Sequence, residues 1–291
     1  MSWRVTVQCT RLQAERAPDP EALFPDGPQA VIVAEEPDPS RPDDWVLHLY
    51  FDREPGASEL DRVAELGCPG LHVEQLGEAD WVTMSQSGLQ PIRARRFFVH
   101  TPMYRSHPPE TIAFEIDAGL AFGTGQHATT AGCLEALDEL ESGGASFSNV
   151  ADIGTGTGLL AFAALALWPE ARCIATDVDP VAVDVARDNA AINQVALGHG
   201  SGELLLARAD GMDSEILAAR APFDLIIANI LAGPLIELAP DFAKSLASGG
   251  TIVLAGILDA QADAVASVYR QLGLTLASAG RGEWPVLVLR S

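Results

Sequence analysis

Positive charge is scarce in this chain. Its 291 residues include 18 Lys and Arg against 40 Asp and Glu, which gives a net charge of −22, and Lys244 is its one lysine. A protein that grips a nucleic-acid backbone needs clustered basic residues, so we expect no direct nucleic-acid contact. The acidic balance suits a cationic partner, such as a lysine-rich protein, and it also favours solubility.

Cysteine is rare as well, and long apolar runs are lacking. The four cysteines, Cys9, Cys68, Cys133 and Cys173, are scattered without a C-x-x-C pair. This pattern predicts reduced, buried thiols rather than a disulfide framework or a zinc site. No apolar run reaches the ~18 residues of a membrane span, and the first residues alternate like a strand rather than a secretion signal. We therefore expect a cytoplasmic monomer with no metal and no membrane contact.

The first part of the chain predicts a small domain over residues 1–78. Its elements follow the order β-α-β-β-α-β, which is that of the ferredoxin-like α+β unit. They are a strand at 3–9, a polar helix-permissive stretch at 10–27, strands at 30–34 and 45–51, a helix at 58–66 and a strand at 71–76. Residues 79–110 are predicted to form a linker.

Residues 111–291 predict an α/β domain. Strands alternate with helices of about 10–15 residues, which is typical of a parallel, doubly wound sheet. The last two of its seven strands have no helix between them, so they predict an antiparallel edge. We therefore expect a seven-stranded Rossmann-like sheet.

One stretch of this domain, residues 150–179, has the pattern of a nucleoside-binding unit. It reads V-A-D-I-G-T-G-T-G, then an Ala/Leu-rich helix, then R-C-I-A-T-D-V-D. Glycines between a strand and a helix let a ligand approach bare backbone. Asp177 ends the second strand, where its carboxylate can accept hydrogen bonds from both ribose hydroxyls.

The spacing of the glycines favours S-adenosylmethionine over a dinucleotide. The NAD fingerprint is G-x-G-x-x-G, whereas Gly154, Gly156 and Gly158 recur at every second position. Asp152 precedes the loop, where a carboxylate would repel a pyrophosphate. It would tolerate the cationic ammonium and sulfonium of S-adenosylmethionine.

A polar loop before the first helix of this domain predicts a cover over the cofactor. It reads L-A-F-G-T-G-Q-H-A-T-T over residues 120–130. Thr130, at the helix start, is predicted either to cap the helix or to bind the cofactor carboxylate with the helix N-terminus. His127 is a candidate base, or a loop residue that only hydrogen-bonds.

Acids and amides at the other strand ends complete the predicted site. Asn229 ends an apolar strand, where an unpaired amide would be costly, and we expect it to orient the amine nucleophile or the amino-acid end of the cofactor. Asp210 is a candidate acceptor for the adenine amino group, or a turn acid. Asp179 is predicted to cap the next helix, and Asp224 to be structural. The predicted cofactor-binding residues are Phe122, Gly123, Thr124, Gly125, Thr129, Thr130, Asp152, Gly154, Gly156, Asp177, Val178, Asp210 and Asn229, and the predicted catalytic residues are Asn229 and His127.

Together these segments resemble the PrmA family, the methyltransferases of ribosomal protein L11. The resemblance lies in L-A-F-G-T-G-Q-H-A-T-T, D-I-G-T-G-T-G-L-L-A, D-V-D-P-V-A-V-D-V-A-R-D-N and N-I-L-A-G-P-L. The glycine loop is general among methyltransferases, whereas the first and last segments are specific. One departure is Asp117-Ala118-Gly119, where the family commonly has Asp-Pro-Gly.

The resemblance implies S-adenosylmethionine-dependent methylation of lysine ε-amino groups, and of the N-terminal α-amine, of ribosomal protein L11. It also implies that the small N-terminal domain recognises the substrate and moves on a flexible linker. By motif, the cofactor residues are Thr130, Gly154, Asp177 and Asn229.

Other functions stay open at this point. An amine methyltransferase could act on another protein, a nucleobase or a small molecule, and the acidic balance argues against RNA. A non-catalytic cofactor-binding module would not need the polar loop. An NAD oxidoreductase disagrees with the glycine spacing.

Overall fold

The computed structural model describes residues 2–15, 17, 23–24, 30–35, 43–51, 53–76, 91–102, 104, 107–116, 127–280 and 282–291. The chain divides into two compact units, residues 1–88 and 89–291. The sequence predicts domain boundaries at residues 78 and 110, with a linker between them. The structure has a single boundary after residue 88, within that predicted linker.

The first unit contains a four-stranded antiparallel sheet within its described residues. The strand order is β2-β3-β1-β4. Val5, Val7, Leu47 and Leu49 alternate into its core, and Val63 packs there from a helix. The elements are β1 (Ser2–Thr10), α1 (Arg11–Glu15), β2 (Ala30–Glu35), β3 (Asp44–Phe51), α2 (Ala57–Ala64) and β4 (His72–Leu76). Element order and pairing are those of the ferredoxin-like unit that the sequence predicts.

Three short strands form a small sheet in the second unit, in a region that the sequence predicts to be mostly linker. The strands β5 (Ile92–Ala94), β6 (Phe97–His100) and β7 (Ile112–Glu115) lie in that order. Phe97 and Phe114 are buried in the apolar cluster that also contains side chains of helix α3 (His127–Ser142). The sheet forms here rather than a linker because these segments carry alternating apolar residues, which a solvated linker would expose to water.

Two arginines of this segment attach the small sheet to α3. Arg96 pairs with Asp138 and Glu141, and Arg95 pairs with Glu139. These arginines therefore have a structural role within the second unit.

A seven-stranded sheet forms the centre of the second unit, within its described residues. The strand order is β10-β9-β8-β11-β12-β14-β13, with β14 antiparallel to both neighbours and the other pairs parallel. The strands are β8 (Asn149–Ile153), β9 (Arg172–Asp177), β10 (Leu204–Arg208), β11 (Phe223–Asn229), β12 (Leu246–Ala255), β13 (Thr275–Ala279) and β14 (Leu287–Arg290). The predicted Rossmann-like sheet and its antiparallel edge are confirmed.

Helices cover both faces of this sheet. Leu134 and Phe162 belong to one apolar cluster, and Phe242 and Tyr269 to the other. The helices after α3 are α4 (Leu159–Leu167), α5 (Pro180–Ile192), α6 (Glu215–Arg220), α7 (Ala232–Glu237), α8 (Ala239–Ser245) and α9 (Asp259–Gln271). Because every residue of β8 is buried, functional groups of the central strands are accessible at strand ends rather than along the strands.

The four cysteines are free and buried, as the sequence predicts. In the described ranges, each helix is too short or too polar to cross a bilayer. The same residues contain no group of three or more His, Cys, Asp or Glu side chains suited to a metal ion.

Candidate functional site

Three neighbouring strands end beside a cavity of about 450 Å³. β8 lies between β9 and β11. From β8 the chain first adds β9 and β10 on one side of it, and then crosses to add β11 and β12 on the other side. Such a switch in strand order is where open α/β sheets bind ligands. Gly154 follows β8, Asp177 ends β9 and Asn229 ends β11. The described lining residues are Thr129, Thr130, Gly154, Thr155, Gly156, Thr157, Leu159, Leu160, Asp177, Asn229, Ile230, Leu231, Gly256 and Trp284.

The Asp177 carboxylate is fixed at the edge of this cavity by two backbone donors. Gly156 N–H donates to its Oδ2 at 2.9 Å, and Asp179 N–H donates to its Oδ1 at 3.0 Å. A carboxylate oxygen can accept more than one hydrogen bond, so both oxygens keep capacity for a ligand. The side chain is half-buried and is held in place before any ligand binds.

Glycines hold the segment that follows Asn229. Gly154 has φ +74, and an added Cβ would lie 2.4 Å from Cγ2 of Ile230. Gly256 has φ +83, and a Cβ there would lie 2.5 Å from the Ile230 carbonyl oxygen. Ile230 is therefore packed between two backbones that approach it too closely for any side chain. This packing positions Asn229 on one side of it and Leu231 on the other.

Asp152 lies beneath the glycine loop and does not line the cavity. It is 1% exposed, and its Oδ2 accepts a hydrogen bond from the Thr155 hydroxyl at 2.6 Å. Its Oδ1 has no hydrogen-bond partner among the described residues. Burial is the largest cause that raises the pKa of Asp152, to about 7, and the nearby Asp177 charge raises it further. The structure thus places this carboxylate under the loop, and a direct cofactor contact stays a prediction.

This buried acid leads to a prediction about pH and stability. The folded-state pKa of Asp152 lies above the ordinary value of 3.8, so its contribution to stability is complete below pH ~4 and is lost as pH rises to ~7. Asp152→Asn keeps an acceptor for Thr155 and cannot ionise. Between about pH 5.5 and 8, the free energy of unfolding of the variant relative to wild type should rise by about 2 kcal/mol.

Urea unfolding at the two pH values measures this difference. Asp184→Asn, a change at an exposed aspartate on α5, is the matched control and should show no such pH dependence. A constant offset between Asp152→Asn and wild type across the range would contradict the assignment.

The polar loop is described only from its last residues. Thr129 and Thr130 are buried in the first turn of α3 and line the cavity, at 3% and 7% exposure. His127 begins α3, but its side chain lies outside what the structure describes. Phe122, Gly123, Thr124 and Gly125, which the sequence predicts to contact the cofactor, also lie outside the described residues.

The remaining predicted residues separate into two groups. Asn229 lines the cavity, and its side-chain amide has no hydrogen-bond partner among the described residues. Val178 is 55% exposed and Asp210 is exposed, and neither belongs to the described cavity lining. Asp179 caps α5 by accepting from Val181 N–H at 2.9 Å, as predicted.

Asp224 is structural, as the sequence predicts. Its carboxylate accepts from the backbone N–H groups of Ser148 and Asn149 at 2.8 and 2.9 Å. These bonds join the start of β11 to the start of β8, at the end of the sheet opposite the cavity.

Sequence reasoning missed several lining residues, of which Trp284, Leu231 and Gly256 are the most informative. Leu231 is 73% exposed although it is apolar. It follows the strand-end Asn229, and that position could have identified it as a lining residue. Gly256 follows β12 as Gly154 follows β8, and the same reasoning could have identified it. Trp284 lies between β13 and β14 and has no comparable local pattern.

Comparisons with known proteins identify the family of this chain. The family model for "Ribosomal protein L11 methyltransferase (PrmA)" matches residues 29–291. A protein of Brucella suis named ribosomal protein L11 methyltransferase is 48% identical over 231 residues, which are 79% of this chain and 78% of that protein. A protein of Agrobacterium fabrum with the same name is 38% identical over 294 aligned positions, covering 99% of this chain and 98% of that protein.

A solved structure of a similarly named protein also matches this chain. The ribosomal protein L11 methylase of Lactobacillus delbrueckii subsp. bulgaricus is 27% identical with a TM-score of 0.59, and the match covers 69% of this chain and 98% of that one. The family model spans most of the chain, and the Agrobacterium relative spans nearly all of it. The chain therefore belongs to the PrmA family of ribosomal protein L11 methyltransferases.

Proposed function

We propose that this protein transfers methyl groups from S-adenosylmethionine to lysine ε-amino groups, and to the N-terminal α-amine, of ribosomal protein L11. The observation that carries the cofactor assignment is the Asp177 carboxylate, which two backbone N–H groups hold at the switch point of the sheet. The relatives' shared name supports the substrate.

The residues present fit S-adenosylmethionine. Asp177 suits the two ribose hydroxyls, and it is the one charged residue among the described residues that line the cavity. Gly156 lines the cavity, and nothing lies within 4 Å of where its Cβ would be, so bare backbone faces open space there. Thr130 and the N-terminus of α3 suit the carboxylate of the amino-acid end. S-adenosylmethionine supplies a methyl group already activated on a sulfonium.

The protein must then deliver the acceptor as a neutral amine. A lysine with pKa about 10.4 is mostly protonated at pH 7, and exposing its lone pair costs roughly 4.6 kcal/mol. Among the described residues that line the cavity, Asp177 is the one acidic or basic side chain, and the proposed ribose contact occupies it. Leu231 and Trp284 instead desolvate the amine, which lowers its pKa. We propose that the proton leaves to water, while the role of His127 as a base stays a prediction.

Asn229 orients the neutral amine in this proposal. Because its amide has no partner among the described residues, it is available to accept from the attacking nitrogen. Asn229→Ala should lower kcat about 100-fold, since small losses of alignment cost that much. Affinity for S-adenosylhomocysteine, measured by calorimetry, and the melting temperature serve as controls. Full turnover with unchanged affinity would remove Asn229 from the catalytic set.

Other parts of the chain complete the proposal. Residues 1–78 recognise the substrate and residues 111–291 bind the cofactor, while the predicted linker of residues 79–110 contributes strands β5 and β6 to the catalytic unit. We further propose that the protein works as a cytoplasmic monomer without gripping nucleic acid, since 18 basic residues stand against 40 acidic ones.

Labelled S-adenosylmethionine, incubated with separated ribosomal components from a strain that lacks the enzyme, tests this function. One labelled large-subunit protein of the expected identity supports it. Labelled RNA or a different labelled protein selects another amine substrate. Cofactor binding without any label selects a non-catalytic module.

A further inference from the structure

Asp152 is a buried acid beneath the glycine loop, close to the cofactor cavity. It is 1% exposed, and its Oδ2 accepts a hydrogen bond at 2.6 Å from the hydroxyl of Thr155, a residue that lines the cavity. Its Oδ1 has no hydrogen-bond partner among the described residues. An anion with an unsatisfied oxygen is costly to bury. The carboxylate therefore needs either a proton or a positive charge nearby.

The described side chains around Asp152 supply no positive charge. The titratable groups that interact with it are Asp177 and Cys173 of β9 and Cys133 of α3. Burial raises the pKa of both thiols well above the usual range, so they stay neutral. Burial also raises the pKa of Asp152, and the charge of Asp177 adds to that effect, although the Thr155 hydrogen bond opposes it. The resulting pKa of about 7 leaves roughly half of the molecules protonated at neutral pH.

The ligand proposed for the cavity brings a positive charge of its own. In S-adenosylmethionine the sulfonium joins the ribose to the amino-acid chain, whereas the product S-adenosylhomocysteine has a neutral thioether there. With these two ends at Asp177 and Thr130, as proposed, the sulfur lies within the cavity that Gly154 and Thr155 line. At an effective dielectric constant of about 20, an opposite charge about 7 Å away shifts a protonation equilibrium more than tenfold.

We propose that Asp152 acts as the counter-ion of the sulfonium, holding a proton before the ligand binds and releasing it to solvent when S-adenosylmethionine binds. The inference rests on the proposed function, and it gives Asp152 a role through its charge rather than through contact. After transfer the positive charge has moved from sulfur to the methylated amine, which leaves with the substrate protein. Asp152 then regains a proton from solvent, and the site holds the neutral product less tightly than the methyl donor.

Calorimetric titration of the full-length protein tests this proton release. Each of the two ligands is titrated in buffers of different ionisation enthalpy, which gives the number of protons exchanged on binding. At pH 7 the wild type should release about half a proton more with S-adenosylmethionine than with S-adenosylhomocysteine. Its affinity for S-adenosylmethionine relative to S-adenosylhomocysteine should rise about fivefold from pH 6 to pH 8, because the cation binds the ionised form.

Three variants identify the titrating group. Asp152→Asn has the same size and cannot ionise, so both differences should vanish, and protons exchanged by the ligands or by other groups cancel between it and wild type. Thr155→Val removes the hydrogen bond that favours the charged form, so the pKa of Asp152 should rise and proton release at pH 8 should increase. Asp184→Asn, at an exposed position of α5, is the matched control and should behave as wild type.

The outcomes separate this inference from the proposed function. Equal proton release in wild type and Asp152→Asn, with S-adenosylmethionine bound by both, overturns the counter-ion and leaves the proposed function in place. Circular dichroism checks the fold of each variant. If Asp152→Asn does not fold, an unchanged pH dependence in Thr155→Val overturns the counter-ion instead. Wild-type protein that binds neither ligand overturns the proposed function, and this inference with it.

Discussion

Asp177→Ala should abolish measurable methyl transfer and weaken binding of S-adenosylhomocysteine at least about 100-fold. Two effects combine. The ligand loses its proposed hydrogen bonds to a carboxylate, each worth about 1.5–3 kcal/mol. The loop also loses the acceptor that holds the N–H groups of Gly156 and Asp179. Isothermal calorimetry gives the affinity, and circular dichroism checks the fold.

Two further variants separate charge from shape at this position. Asp177→Asn keeps one acceptor and removes the charge, so its affinity should fall between wild type and Asp177→Ala. Asp184→Ala changes an exposed aspartate on α5 and should bind normally. Wild-type affinity in Asp177→Ala would show that this carboxylate does not hold the ligand.

Gly256→Ala should lower activity about 100-fold and destabilise the protein by about 1–3 kcal/mol more than a comparable glycine change. An added Cβ would lie 2.5 Å from the Ile230 carbonyl oxygen and 2.9 Å from its carbonyl carbon. These are backbone atoms, so the segment that carries Asn229 and Leu231 must shift. Turnover and urea unfolding measure the two effects.

Gly249→Ala provides the matched comparison. Gly249 has φ +76, close to the +83 of Gly256, but nothing lies within 4 Å of where its Cβ would be. Both variants therefore share the cost of a left-handed backbone, of order 1–3 kcal/mol, and only Gly256→Ala adds the collision. Equal losses in the two variants would mean that contact with Ile230 does not position the site.

The sequence predicts the cofactor edge of the sheet because the signals there are local. Gly154, Asp177 and Asn229 each follow or end an apolar run, and parallel strands bring their carboxyl ends together. The structure places all three around one cavity. Asp179 and Asp224 were likewise predictable, because a helix cap and a strand start depend on adjacent residues.

The positions of Asp152 and Trp284 could not be predicted from adjacent residues in the sequence. Asp152 is 1% exposed because every residue of β8 is buried, and the motif alone does not reveal that burial. Trp284 reaches the cavity because β14 pairs with β12 rather than following β13 outward, and that pairing joins segments distant in the chain. Burial of Phe97 and Phe114 against α3 depends on tertiary packing in the same way.

Calorimetric titration of the wild-type protein with S-adenosylhomocysteine and with NADH tests the central claim most directly. We expect saturable one-site binding of S-adenosylhomocysteine that Asp177→Ala removes, and no heat from NADH. Binding of NADH together with silence toward S-adenosylhomocysteine would contradict the assignment of the cavity and the chemistry derived from it.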